Sequence, residues 1–415
     1  MIVNADLHIH GRYSVGSSKF MTFLSLSTEA KKKGVHMLAT GDCLHSKWMD
    51  EIRKLDKIEE GTLEINEVRF ALTTEVEDNK RVHHLLIFPS LSSSVDFRER
   101  IESHSKNIDT DGRPNVKLGG EEIAQHASDV EALIGPCHAF TPWTALYASH
   151  DSLKDCYGDM VDYVSFVELG LSADTNYADR IAELERLTFL TNSDAHSANP
   201  TKMAREFNRF EMRDITFSEL KKAIERNKKR EPVLNVGLPP QEGKYNESAC
   251  IRCYTHFSFR ESLMHKWKCT KCGGRIKKGV RDRVNELATY EEPHHPSHRP
   301  PYLHLIPLGE IITKAVGHSS PNTKKVTSIW NELVTGFGDE VNVLLDADFE
   351  DMAKMADEKV VDAIKAFRHG VIIMHPGGGG QYGRIVIPDD VDEAITNKGI
   401  PKAEKREGQA SLFEF

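Results

Sequence analysis

The sequence predicts an α/β protein with a mostly parallel sheet or barrel in its first half, then a compact cysteine-containing block and a mainly helical C-terminal region. Short apolar runs alternate with amphipathic stretches through residues 1–230, a pattern typical of βαβ units. Two Cys-x-x-Cys pairs follow this part of the chain. After Tyr302 the apolar residues recur at helical spacing, as at Leu308, Ile311 and Ile312.

The predicted strands of the first half are short and rich in apolar residues. They are Ile2–Ile9, Val35–Thr40, Val68–Val76, His84–Phe88, Leu133–Cys137, Tyr163–Glu168 and Thr188–Thr191. The predicted helices between and after them are Phe20–Lys33, Lys47–Ile58, Asp174–Leu187 and Ser218–Lys228.

Proline and glycine divide the chain into four predicted segments. Pro232 and Gly237–Pro240 end the first segment, and the proline-rich stretch Pro293–Pro301 separates the second from the third. These breaks predict an α/β domain over residues 1–232, a cysteine block over 241–284, a helical domain with a glycine-rich loop over 302–395 and a flexible tail over 396–415.

The composition is that of a folded soluble protein, with 39% apolar and 28% charged residues among 415. There is no run of about 18 uncharged apolar residues, so no membrane partner is expected. The first residues, MIVNADLHIH, lack the layout of a signal peptide, which predicts a cytoplasmic protein. The net charge of −9 argues against broad electrostatic binding to a polyanion, although the positive charge is unevenly distributed.

Histidines and acidic residues collect at the ends of the predicted strands. Asp6, His8 and His10 alternate along the first strand and therefore share one face. Later strands are bordered by the same residue types, at Asp42, His45, Glu75, His83, His84, His138, Asp194 and His196. Because active sites form where the C-terminal ends of barrel strands meet, this recurrence predicts a metal site with imidazole and carboxylate ligands. The alternative is a polar strand face with structural histidines.

The motifs DLHIH, TGDCLH, TTE, HHLL, GPCH and NSDAH resemble those of the PHP superfamily of metal-dependent phosphoesterases. The resemblance covers about residues 1–230 and implies a distorted, TIM-like (β/α)7 barrel with two or three divalent ions (Zn, Mn or Mg). Such ions activate water and neutralise charge on phosphoryl oxygens, as phosphodiester hydrolysis requires. The sequence departs from the family pattern where Cys43 follows Asp42.

The same resemblance implies roles for individual residues. The ligands of one ion, which are also the catalytic residues, would be His8, His10, Glu75 and Asp194. Glu75 would bridge to a second ion held by His84 and His138. A third ion would involve His196 with Asp42 or His45.

The cysteine block predicts one structural zinc ion. Two pairs separated by fifteen residues form a tetrahedral four-cysteine pattern, made by Cys250, Cys253, Cys269 and Cys272. Between Lys244 and Val284 there are eleven Lys or Arg residues against three acidic ones. Aromatic residues such as Tyr254 and Trp267 interleave with these cations, which suits DNA phosphates and stacked bases. In the alternative interpretation the aromatic side chains simply pack against the metal site. The candidate DNA-contacting residues here are Lys271, Arg275, Lys277, Lys278 and Arg281.

A run of four glycines marks a loop in the C-terminal region. Successive glycines let backbone amides approach a phosphate or a base closely, so Gly378, Gly379 and Tyr382 are further candidates for DNA contact. A flexible hinge is the alternative. No Gly-Lys-Ser/Thr sequence follows, so nucleotide hydrolysis is not expected.

The chain ends in an apolar peptide, QASLFEF. It resembles the PIP box, which implies binding to a replication sliding clamp of the PCNA type through Gln409, Leu412, Phe413 and Phe415. The alternative is that this peptide docks on the protein's own core.

The order of these segments, with CIRC, CTKCGGRIKKGVRDR and PGGGGQYG, resembles the endonuclease Q family of PHP nucleases over nearly the whole chain. The resemblance implies a nucleoid-associated DNA-repair enzyme that acts on duplex DNA with a damaged base. It would cut on the 5′ side of deaminated bases (uracil, hypoxanthine, xanthine) and abasic sites. The residues alone predict only a metal-dependent phosphodiesterase that holds nucleic acid. A small-molecule phosphatase of the histidinol-phosphatase type and a non-catalytic, clamp-bound scaffold are the alternatives.

Overall fold

The first half of the chain is a distorted α/β barrel, as predicted, in a computed structural model that describes residues 1–398. Its strands are β1 (Ile2–Asp6), β2 (Met37–Ala39), β3 (Asp56–Glu59), β4 (Thr62–Ile65), β5 (Val68–Ala71), β6 (Thr73–Glu77), β7 (His83–Ile87), β8 (Leu133–Pro136), β9 (Phe166–Glu168), β10 (Thr188–Leu190), β11 (Phe207–Glu211) and β12 (Glu231–Gly237). Its helices are α1 (Phe23–Lys33), α2 (Ser46–Ile52), α3 (Leu91–Ile101), α4 (Gly120–Asp129), α5 (Leu146–Ser149), α6 (Leu153–Tyr157), α7 (Thr175–Ala178) and α8 (Phe217–Ile224).

Local sequence explains the ends of the barrel helices. The hydroxyls of Thr22 and Thr216 accept hydrogen bonds from backbone N–H groups in the first turns of α1 and α8. Helix α1 ends at Gly34, whose φ of 83° is the left-handed conformation that glycine adopts without strain.

The barrel strands pair in both directions, so the predicted mostly parallel sheet is in fact mixed. β1, β2 and β5 are parallel neighbours and β9 is parallel to β10, whereas β6, β7 and β8 run antiparallel. Only residues 78–82 join β6 to β7. A connection this short allows a hairpin, while a parallel pair needs a crossover of about a dozen residues.

Two predicted helices are wrong in extent. The predicted helix Lys47–Ile58 ends at Ile52, because Asp56–Glu59 pairs with β4 instead. Of the predicted helix Asp174–Leu187 only α7 and a 3₁₀ turn form. The carbonyls of Leu184 and Leu187 accept hydrogen bonds from Arg299, a tertiary contact that local sequence cannot show.

The second half of the chain contains the cysteine block and a mainly helical region, again as predicted. The block has strands β13 (Ala249–Cys250) and β14 (Ile276–Lys277) and helices α9 (Phe259–Met264) and α10 (Val280–Leu287). The C-terminal region has helices α11 (Leu308–Ala315), α12 (Lys324–Phe337), α13 (Glu340–Leu345), α14 (Phe349–Met352), α15 (Glu358–Arg368) and α16 (Val391–Asn397), with strands β15 (Tyr302–His304), β16 (Ile373–His375) and β17 (Arg384–Val386).

Both later parts pack directly on the barrel. Strand β15 extends the barrel sheet by pairing in parallel with β12, although its residues were predicted as helical. Val280 and Val284 of α10 belong to the main barrel core. A buried ion pair, Lys33 Nζ to Glu340 Oε1 at 2.6 Å, joins α1 to α13.

No helix within residues 1–398 is long and apolar enough to cross a lipid bilayer. The predicted clamp-binding residues Gln409, Leu412, Phe413 and Phe415 lie outside the described residues.

Candidate metal centre

Five side chains from four strands converge on one buried site at the rim of the barrel. His8 and His10 follow β1, Glu75 lies on β6, His138 follows β8 and Asp194 follows β10. The two histidines and Glu75 are almost completely buried, and the Asp194 side chain is about one-third exposed. The structure therefore brings together five of the residues that the sequence singled out.

The distances between these groups are those of a shared ligand shell. His10 Nε2 lies 3.3 Å from Glu75 Oε2 and 3.2 Å from Asp194 Oδ1. His8 Nε2 lies 3.8 Å from Glu75 Oε1 and 3.7 Å from Asp194 Oδ1. His138 Nε2 lies 3.1 Å from Glu75 Oε1.

Three inward-facing atoms of this site show that the donor set fits metal ions. His8 Nε2, His10 Nε2 and Asp194 Oδ1 are buried and have no hydrogen-bond partner among the described residues. Buried polar atoms are normally paired, so three orphaned atoms facing one another need a common partner. Imidazole nitrogen and carboxylate oxygen are ligands that zinc and manganese accept.

Two buried carboxylates hold the imidazole rings from behind. Glu168 Oε2 lies 2.9 Å from His8 Nδ1, and Asp42 Oδ1 lies 2.9 Å from His10 Nδ1. Such contacts fix the ring orientation and leave Nε2 directed into the site. Asp6, predicted on the same face, instead accepts hydrogen bonds from Ser193 and Ala204. It positions the loop that carries Asp194.

The electrostatics of the site favour bound positive charge. Burial lowers the pKa of His8, but Glu168, followed by Asp194 and Glu75, outweighs this and raises the pKa to about 9. Burial raises the pKa of Glu75, but the charge of His83 and the adjacent imidazoles of His10 and His138 hold it well below its usual range. Without an ion His8 holds a proton, which a divalent cation would replace, whereas Glu75 is already ionised.

Backbone strain marks the same loops. Asp42, His138 and Asp194 have φ values of 46°, 30° and 49°, a region that non-glycine residues rarely occupy. A Cβ atom at Gly170 would lie 2.5 Å from the Cβ of His138. Glycine is therefore required where this chain passes behind the strained histidine.

The structure corrects the predicted second ligand pair, because His83 rather than His84 lies beside Glu75. His83 Nδ1 is 2.6 Å from Glu75 Oε1. Successive residues of a strand point to opposite faces, so His84 faces away and contacts Tyr157 and Asp78 instead. Glu75, His83 and His138 form a group with ligand spacing.

The predicted third ion site is not assembled from the expected residues. Asp42 is occupied by His10 and by the backbone N–H of Gly11. The ring of His45 stacks on Tyr13 at 5.0 Å. His196 does reach the centre, with its ring 4.3 Å from that of His10 and its Nδ1 3.8 Å from Asp194 Oδ1.

Sequence reasoning missed two residues at this site. Arg113, on the loop between α3 and α4, lies 3.2 Å from Glu75 Oε2 and is partly exposed, a position from which a guanidinium can face a phosphate. No pattern in the sequence marks it. Glu168 ends the predicted strand Tyr163–Glu168, so an acid at that strand end was a usable signal.

The four cysteines form a second ligand cluster. The sulfur atoms of Cys250, Cys253, Cys269 and Cys272 lie within 4.8 Å of one another. A Cβ atom at Gly274 would lie 2.9 Å from the sulfur of Cys250, so glycine makes room for the cluster. All four positions belong to cysteine, as in closed structural sites.

The predicted basic residues lie on the exposed side of this block, but several already have partners. Lys278 pairs with Glu286, and Arg281 with Glu247. Lys271 and Arg275 are exposed. Lys277 Nζ sits 3.6 Å from the ring centroid of Trp143, a barrel residue whose side chain is 55% exposed. Trp143 lies five residues after His138 in the chain.

The glycine loop packs against the cysteine block. Gly378 and Gly379 are buried, and Cβ atoms there would collide with Glu247, Ala249 and Cys250. The Gly378 N–H donates to the carbonyl of Gln381. These glycines therefore permit close packing, whereas Tyr382 is 69% exposed beside Lys244. The two aromatic residues named with the basic block differ in environment, since Tyr254 is exposed and Trp267 packs on the cysteine cluster.

Solved structures share this architecture over nearly the whole chain. The crystal structure of the lesion-specific endonuclease PfuEndoQ from Pyrococcus furiosus has a TM-score of 0.91 and 49% identity, covering 94% of this chain and 96% of that one. An endonuclease Q complex with a 27-mer duplex substrate, carrying an abasic lesion at the active site, has a TM-score of 0.88 and 49% identity, covering 94% of this chain and 98% of that one.

The C-terminal region is also similar to a family of known sequences. The MJ0043 C-terminal domain family matches residues 307–371. The protein MJ0043 of Methanocaldococcus jannaschii is 48% identical over 287 residues, covering 66% of this chain. The chain spans about a third of the length of that relative, since the match covers 35% of it.

Proposed function

Because the chain belongs to the endonuclease Q family, we propose that it is a metal-dependent DNA endonuclease that acts on damaged bases in duplex DNA. The bond hydrolysed is the phosphodiester on the 5′ side of uracil, hypoxanthine, xanthine or an abasic site. This is the activity that the sequence resemblance implies, and the abasic duplex bound by a 49%-identical structure supports it.

One observation carries the proposal: the three orphaned ligand atoms of His8, His10 and Asp194 face Glu75 at the rim of the barrel. These residues would hold divalent ions, which would supply a lowered pKa for bound water and offset charge on the phosphoryl oxygens. Glu75 has one oxygen toward His10 and the other toward His83 and His138, so it can serve two ions. The sequence motifs favour Zn, Mn or Mg in two or three positions.

The remaining groups bind and orient the substrate in this proposal. Arg113 faces the scissile phosphate beside Glu75. Trp143 offers an exposed ring for a splayed base or sugar, and Lys277 at its face contacts the backbone phosphates. A damaged or mispaired base costs less to unstack, which favours its extrusion into the site.

The other proposed partners are a zinc ion and a sliding clamp. The four-cysteine cluster has the donor set of a closed structural zinc site. Clamp binding through the peptide that ends at Phe415 rests on its likeness to a PIP box. Peptide pull-down with a PCNA-type clamp tests it, and binding that survives deletion of residues 409–415 would reject it.

The central test is incubation with end-labelled duplexes that contain one uracil, hypoxanthine, xanthine or abasic site, with Mg²⁺ or Mn²⁺. We expect a single nick 5′ of the lesion. Asp194→Asn should abolish the nick while DNA binding survives, and the matched exposed substitution Asp351→Asn should change neither. Cleavage by Asp194→Asn with normal metal content would refute the proposed centre.

The same assay separates the alternatives. A histidinol-phosphatase-like enzyme would hydrolyse a small phosphomonoester and leave the lesion duplex intact. A non-catalytic scaffold would cleave neither substrate and would hold no metal ion at the barrel rim.

A further inference from the structure

A second buried cluster of metal-ligating side chains lies outside the proposed catalytic centre. Asp78 follows β6, His84 lies on β7, His150 follows α5 and Cys156 lies on α6. All four side chains are more than nine-tenths buried. The ligand atoms of Asp78, His150 and Cys156 lie within 4.8 Å of one another, and His84 Nε2 is 3.4 Å from Asp78 Oδ2.

Each oxygen or nitrogen that faces the cluster lacks a partner, while two of the side chains are held from behind. Asp78 Oδ2, His84 Nε2 and His150 Nε2 are buried without a hydrogen-bond partner in the part of the chain described. Asp78 Oδ1 accepts hydrogen bonds from the N–H groups of Lys80 and Val82, each at 2.8 Å. His84 Nδ1 lies 2.8 Å from the hydroxyl of Tyr157, which directs Nε2 inward.

We propose that Asp78, His84, His150 and Cys156 form a structural zinc site, distinct from both the catalytic centre and the four-cysteine cluster. Asp78, His150 and Cys156 supply one carboxylate oxygen, one imidazole nitrogen and one sulfur, and His84 Nε2, beside Asp78, is the fourth donor. Four such donors are the number and kind that a closed tetrahedral zinc site takes. Sulfur and imidazole select zinc over magnesium or calcium. Binding releases the Cys156 thiol proton to solvent, and the thiolate carries the bond.

The surrounding backbone is shaped for this cluster. A Cβ atom at Gly120 would lie 2.6 Å from the Cys156 sulfur and 3.2 Å from a ring carbon of His84. Glycine at the start of α4 therefore allows the helix to approach the site, and a larger residue there would displace two of the four ligands.

The position of the site indicates what the ion does. His84 and His83 are neighbours on β7 with opposite orientations, so an ion on His84 also fixes the strand that presents His83 to Glu75. The carbonyl of His150 accepts a hydrogen bond from Arg283 of α10 at 3.0 Å. The ion would thus hold in place both β7, which carries His83, and the segment around His150 that contacts α10.

The test is zinc analysis of the full-length chain, which does not depend on nuclease activity. We expect the double substitution Cys156→Ser/His150→Ala to lose one equivalent of zinc relative to the wild type. The matched control Cys43→Ser removes another buried cysteine outside the cluster and should keep that equivalent. Unchanged zinc content in a folded double variant would overturn the proposal.

A second measurement on the wild type covers the case in which the double variant fails to fold. Anomalous scattering at the zinc edge should give a peak bonded to Cys156 Sγ and His150 Nε2. A map with a peak at the four-cysteine cluster and none at this position, in crystals grown with zinc, would overturn the assignment.

Discussion

Replacing Glu168 by glutamine tests how the barrel prepares its metal ligands. The buried carboxylate accepts hydrogen bonds from three groups: its Oε2 faces His8 Nδ1 at 2.9 Å and Asn192 Nδ2 at 3.1 Å, and its Oε1 faces the His138 N–H at 3.2 Å. Glutamine has only one oxygen, so one orientation of its amide sets a donor against His138 and the other sets it against Asn192. The substitution also removes the negative charge behind His8.

The expected magnitude follows from the role of Glu168 as the partner of a ligand. Loss of such a partner lowers metal affinity or activity by about 10–100-fold, which corresponds to about 1.4–2.7 kcal/mol. His8 itself stays in place, so the variant should recover activity when the metal concentration is raised.

The assay is the initial rate of nicking on a uracil-containing duplex over a range of Mn²⁺ concentrations. Glu206→Gln is the matched control, because Glu206 is equally buried and burial raises its pKa to about 8, so it is already neutral at pH 7. The control should follow the wild-type metal curve. A Glu168→Gln curve that overlays the wild type would refute the view that this carboxylate tunes the centre.

Three further predictions concern stability and DNA binding. In the folded protein Glu206 keeps its proton up to a pKa of about 8, whereas in the unfolded chain it loses the proton near pH 4.5. Its burial therefore lowers the free energy of unfolding increasingly between pH 4.5 and 8, by on the order of 4 kcal/mol at the upper end. Glu206→Gln should make the melting temperature less dependent on pH across this range, and an unchanged pH profile would contradict this prediction. Glu340→Gln removes the negative charge that pairs with the buried ammonium of Lys33. The free energy of unfolding, measured in urea, should fall by about 3 kcal/mol. A decrease below 1 kcal/mol would mean that water reaches the pair. Lys277→Ala should reduce the slope of log DNA affinity against log salt concentration by about 0.9, and a slope equal to that of the wild type would show that Lys277 does not contact a phosphate. Trp143→Ala should instead weaken DNA binding by about 1–3 kcal/mol and leave the slope unchanged.

Residues whose role is set by the barrel topology could be predicted from the sequence. His8, His10, Glu75, His138 and Asp194 each stand at the end of an apolar run, and barrel strands bring such ends together. The four-cysteine cluster could also be predicted, because the spacing of its cysteines by itself indicates a metal site.

Residues whose role depends on strand phase or on tertiary contacts could not be predicted from the sequence. His83 and His84 are adjacent, so a shift of one position in the assumed strand phase exchanges the ligand with its neighbour. Arg113 reaches Glu75 from a long loop without periodicity. The fate of residues 179–187 depends on Arg299, more than 100 positions later.

The β12–β15 pairing has a consequence for any shortened form of this chain. Residues Asn235–Gly237 share backbone hydrogen bonds with Tyr302–His304, so cutting the polypeptide near Pro239 would strip one edge of the eight-stranded sheet. The bared amides and carbonyls would then be open to strands from other molecules, and self-association would compete with refolding. The barrel is therefore not an independent folding unit, because its solubility as an isolated fragment depends on a strand that lies some sixty residues further along the chain.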